Sequence, residues 1–86
     1  MASIEDVRGS IQQAIEKANQ SVSALQQAAD LADDAQDLLR AATQGSNQSE
    51  VEQVNARFAE VASAVADLQK SLLAGISQAE GIDSRL

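Results

Sequence analysis

The chain has no cysteine, histidine, proline, tryptophan or tyrosine and a single phenylalanine, Phe58. Each absence removes an option. Without cysteine no disulfide can brace the fold, and the redox compartment leaves no trace. Without cysteine or histidine a metal would rest on carboxylates alone, a donor set suited to calcium or magnesium but not to structural zinc. Serine is left without its usual base, and Lys17 and Lys70 fall on polar faces where a depressed pKa is not expected. Neither catalysis nor a cofactor is therefore expected. The lack of aromatics disfavours strands, and no proline interrupts a helix. No run of eighteen apolar residues exists, and no basic flank precedes an apolar run at the acidic N-terminus. The expected location is cytoplasmic, or exported without a Sec signal.

Eighty-six residues allow one domain, near the size at which a single core becomes marginal without outside support. With disulfides excluded, oligomerisation is the support that remains. The net charge of −7 disfavours phosphate backbones and anionic lipid surfaces, so neither nucleic acid nor membrane is an expected partner, and a charge-steered partner would be basic. No small-molecule substrate is expected, because two paired helices enclose no pocket.

What the chain does contain is a seven-residue repeat. Ile4, Ile11, Ala18, Leu25, Ala32 and Leu39 form one ladder; Val51, Phe58, Val65, Leu72, Ala79 and Leu86 form another. Companion positions three residues after the rungs are also apolar: Val7, Ala14, Ala28, Ala35 and Ala42, then Val54, Val61, Leu68 and Ile82. The pattern predicts two helices meeting along heptad seams, with Phe58 in the core.

Boundary signals divide the chain. Ser3 is placed to cap the first helix, with Glu5 and Asp6 in its first turn, and the pattern persists to about residue 43 despite Gly9. At 1.5 Å per residue this helix would span roughly 60 Å. Gly45 is the expected left-handed residue after it, the turn covers about 44–49, and the pivot falls near Ser46–Asn47. Ser49 and Glu52 form a capping-box pattern for a second helix from about 50 to 80, which Gly81 would end, leaving a frayed tail over 81–86. So short a connection predicts antiparallel neighbours. Gly75 would then lie near Ala18, two small residues permitting close backbone approach.

Ile11, Ile15 and Val22 on the first helix and Leu72, Leu73 and Ile76 on the second supply more apolar surface than one narrow seam covers; the alternative is that they only widen the seam within the hairpin. These six residues are the expected association surface, and the fold class expected is an all-α antiparallel hairpin that dimerises into a four-helix bundle. Replacing Leu72 and Ile76 together by serine should then dissociate the assembly more than it unwinds an isolated helix.

Asp30, Asp33, Asp34 and Asp37 share a face opposite the seam. They read as a solvated acidic face, with docking of a basic partner as the functional alternative; a helix face without a loop coordinates calcium poorly. Asn19-Gln20-Ser21 and Asn47-Gln48-Ser49 match the glycosylation pattern, uninformative without an export signal. The ending Gly81-Ile82-Asp83-Ser84-Arg85-Leu86 is similar to the Asp-Ser-Leu motif of acyl carrier proteins, but that family places its serine at a mid-chain helix and Arg85 interrupts the motif.

The whole plan, two long helices around a glycine-containing turn, resembles the small helical-hairpin proteins of type VII secretion in actinobacteria and Gram-positive bacteria. Their Trp-x-Gly turn corresponds here to Thr43-Gln44-Gly45, which keeps the glycine and not the tryptophan. The phrases Ser3-Ile4-Glu5-Asp6-Val7 and Ala79-Glu80-Gly81-Ile82 also resemble short actinomycete proteins of the same type. The expected function is a non-enzymatic protein-protein interaction or assembly module acting as a helical homodimer. The resemblance implies the alternative, a secreted effector or secretion partner that pairs with a second helical hairpin.

Overall fold

The structure, a computed structural model, describes residues 2–45 and 49–86. They form two helices, α1 (Ile4–Ala42, 39 residues) and α2 (Ser49–Arg85, 37 residues), packed side by side into a rod of 65 × 17 × 15 Å.

The ends of α1 follow from local chemistry. The Ser3 hydroxyl accepts from the Asp6 N–H at 3.1 Å while the Asp6 carboxylate accepts from the Ser3 N–H at 3.3 Å, a reciprocal box that satisfies two donors the helix leaves free. At the other end the Thr43 N–H and hydroxyl both donate to the Leu39 carbonyl, at 3.0 and 2.6 Å. Gly45 follows with φ of +88°, the left-handed conformation expected of it. The pivot at Ser46–Asn47 lies outside the described residues.

α2 begins at Ser49, within a residue of the start near 50 that the sequence predicts. Its other boundary differs: Gly81 does not end α2, which continues to Arg85. Long helices draw their stability from packing more than from propensity, and Ala79 and Asp83 remain partly covered before and beyond that glycine.

The seam also differs in one row. The rungs from Ile11 to Leu39 and from Val51 to Ala79 are covered, as expected. The second covered row lies four residues after the rungs, not three: Ile15, Val22, Ala29, Gln36 and Thr43 on α1, with Asn55, Ala62, Gln69, Ile76 and Asp83 on α2. The end rungs Ile4 and Leu86 and the companions Val7, Ala14, Ala28, Ala42, Val54, Val61, Leu68 and Ile82, read as seam residues, are exposed, and of that companion row Ala35 alone is half-covered. Size accounts for the α1 side of this choice. The row at three residues offers α1 only alanine and serine over most of its length, whereas the row at four brings in Ile15 and Val22, and Ile76 across from them, each worth up to about 1.5–3 kcal/mol when buried.

Coverage is nowhere deep. Among the described residues only Ala29, Val65 and Ile76 are buried, and Phe58 and the other residues of the two covered rows are half-covered. Two helices present one interface to each other, and the remaining surface of each stays in contact with water.

Candidate functional site: the open face of the hairpin

Because both helices turn the row at four residues toward each other, both turn the row at three residues to the same broad side of the rod. Val7, Ala14, Ala28, Ala35 and Ala42 of α1 thus run alongside Val54, Val61, Leu68 and Ile82 of α2. Leu31 and Leu38, 60 and 72 % exposed, widen this face at the turn end, and Ile4 extends it at the open end. At mid-length the two helices leave a groove of about 690 Å³, walled by Ala18, Ser21, Ala24 and Leu25 on one side and Leu68, Ser71, Leu72 and Gly75 on the other. No acid or base lines it.

Gly75 and Ala18 both line this groove, near each other as the sequence reading placed them, but not for the reason given. A Cβ built on Gly75 would meet nothing within 4 Å. The glycine is not needed for close approach of α1 and α2; it leaves a notch in the outward face.

The opposite broad face has different chemistry. The Gln69 side chain donates to the Val22 carbonyl at 3.2 Å and to the Gln26 side chain at 3.3 Å, and Gln26 in turn donates to Asp30 at 3.1 Å. Nearer the turn, Gln36 donates to the Asn55 carbonyl at 3.2 Å. Gln69 thus ties α2 to α1 and Gln36 ties α1 to the backbone of α2, and the flanking positions of α1 on this side are Gln12, Asn19, Asp33 and Arg40. Within the seam, Asn55 Oδ1 and Asp83 Oδ1 are buried without a partner.

The expected association residues divide accordingly. Ile11, Ile15, Val22 and Leu72 are half-covered and Ile76 is buried, all within the intramolecular seam, while Leu73 is exposed on the amide-latched side. Replacing Leu72 and Ile76 by serine would therefore strike the hairpin itself. The free apolar surface lies one row over, at Val54, Val61 and Leu68, residues that the sequence reading spent on the seam.

Asp30, Asp33, Asp34 and Asp37 are all exposed on α1. Among the described residues no group of three or more acidic side chains is placed to hold a metal ion. Charge is uneven along the rod: residues 24–69, the turn half, carry eight acids and two bases, net −6, and the remaining residues carry five acids and four bases, net −1. Ser84, the residue compared with the carrier-protein serine, lies in the last turn of α2 with its hydroxyl bonded to the Gly81 carbonyl at 3.0 Å.

The exposed area is large for the mass. The chain of 9.0 kDa exposes 6379 Å², whereas a folded monomer of that mass exposes about 4,900 Å² on average. The excess of about 1,500 Å² is roughly twice what one partner contributes to a standard protein-protein interface. No helix among the described residues is long and apolar enough to cross a membrane. No protein-family model, curated protein or solved structure matches the chain.

Proposed function

We propose that the protein is a non-enzymatic interaction module, a helical hairpin that pairs with a second copy of itself through its open apolar face. The observation that carries this reading is the one-sidedness of the rod. Its two broad sides are built from the same two helices, yet one is latched by amides and edged with polar groups while the other gathers nearly all the exposed large apolar residues, Ile4, Val7, Leu31 and Leu38 of α1 with Val54, Val61, Leu68 and Ile82 of α2, around a groove that only alanine, serine, leucine and glycine line. Contiguous exposed apolar surface of this extent marks an interaction site in most soluble proteins. Stacking two such faces yields a four-helix bundle in which every helix has two neighbours.

The acidic cluster Asp30, Asp33, Asp34 and Asp37 lies outside that face and favours solvation of the dimer. The alternative partner is a different helical hairpin, as the type VII resemblance implies; the turn half, net −6, would then select a basic chain.

Light-scattering mass over a wide concentration range, with thermal melts on the same samples, tests the reading. Self-pairing predicts twice the 9.0 kDa chain mass and a melting temperature that rises with concentration. A monomer at every concentration refutes it, and one that is also poorly folded points to the second hairpin.

A further inference from the structure

We infer that the two copies pair antiparallel, about a two-fold axis that crosses the mid-length groove at Ser21 of α1 and the Ser71–Leu72 step of α2. This rests on the reading of the open face as a self-association surface and specifies how that surface meets its copy.

The first argument is self-complementarity. In a two-fold interface each residue that contacts another is contacted by it in return, so positions equidistant from the axis must fit each other. Leu68 and Gly75 are equidistant from the Ser71–Leu72 step. One is a leucine 53 % exposed and the other a notch with no atom within 4 Å of its missing Cβ. The axis places each copy's Leu68 in the other's notch. On α1, Val7 and Ala35 are equidistant from Ser21, again a large residue against a small one, and Ala14 and Ala28 likewise. With alanine or serine at those central positions the two α1 helices can approach closely.

Gly75 gains a reason by the same step. A glycine inside a long helix costs about 1 kcal/mol relative to alanine, and nothing within a single hairpin requires it there.

The second argument is charge. An antiparallel pair lays the turn half, net −6, over the open half, net −1; a parallel pair would lay −6 over −6. Like charges across an interface oppose association.

The absence of cysteine makes the test clean. Ser21→Cys puts a single thiol on the axis, and Ala42→Cys puts one on the same face far from it. Under mild oxidation the Ser21→Cys chain should convert to a disulfide-linked dimer at least ten times faster than the Ala42→Cys chain. Gly75→Leu should raise the helix content or thermal stability of the dilute, unpaired chain while weakening self-association at least tenfold, because it fills the notch. If wild type is dimeric but Ser21→Cys links no faster than Ala42→Cys, or Gly75→Leu pairs as tightly as wild type, the antiparallel arrangement is wrong and self-association stands. If wild type is a monomer throughout, both are wrong.

Discussion

Leu68 and Leu73 stand five residues apart on α2 and are exposed to nearly the same extent, 53 and 52 %. Their surroundings differ. Leu68 belongs to the apolar row that includes Val54, Val61 and Ile82 and borders the mid-length groove. Leu73 belongs to the side on which Gln69 binds Val22 and Gln26, where it is the one exposed large apolar residue of α2. A lone exposed leucine is ordinary on any protein surface, whereas a row of them calls for a partner. Exposure alone does not separate the two; the company each keeps does.

Substitutions can break or sharpen that contrast. The largest effect is expected in the seam that both faces share. Ile76→Ser removes a buried side chain and leaves a hydroxyl among apolar neighbours, a loss of about 3 kcal/mol, comparable to the whole stability of so small a hairpin. Circular dichroism should show loss of cooperative melting in dilute samples, before association is considered.

On the open face, Leu68→Glu should leave the helices intact in a single hairpin and weaken self-association by at least a hundredfold, about 3 kcal/mol. Sedimentation equilibrium reads that change. The same substitution at Leu73 should alter association less than threefold, and equal loss in both variants would abolish the distinction between the faces.

Gln69→Ala removes two hydrogen bonds from the latched side and should lower the melting stability by about 1 kcal/mol without changing oligomeric mass. The smallest effect belongs to Asp33→Asn combined with Asp34→Asn. These exposed carboxylates should change stability by less than about 0.5 kcal/mol and leave the dimer in place. Dissociation of that variant would move the acidic face into the interface.

The heptad rungs were legible because their spacing is regular from Ile4 to Leu39 and from Val51 to Leu86, and Ser3, Asp6 and Gly45 announce their roles through ordinary capping and turn chemistry. The row beside the rungs was not. Either side of a rung row can face the partner helix, and apolar content pointed to Val54, Val61 and Leu68, whereas the side that closes carries Asn55 and Gln69. Gln69 looks wrong for a seam until its amide is seen to donate to the Val22 carbonyl, whereas Asn55 keeps a buried side-chain oxygen without a partner. A usable signal was present in Ile15, Val22 and Ile76, too large to leave outside when their neighbours at the alternative row are Ala14, Ser21 and Gly75. The same ambiguity hid the open face, since its residues had been assigned to the interior. The end of α2 was misread because Gly81 is a stop signal only where packing does not carry the helix past it.

Side-chain footprinting of wild type at low and high protein concentration compares the two leucines directly. The account predicts that Leu68 becomes protected as concentration rises while Leu73 labels equally at both. Equal labelling of Leu68 and Leu73 at every concentration would contradict it, because the apolar face would then be as open as the latched one.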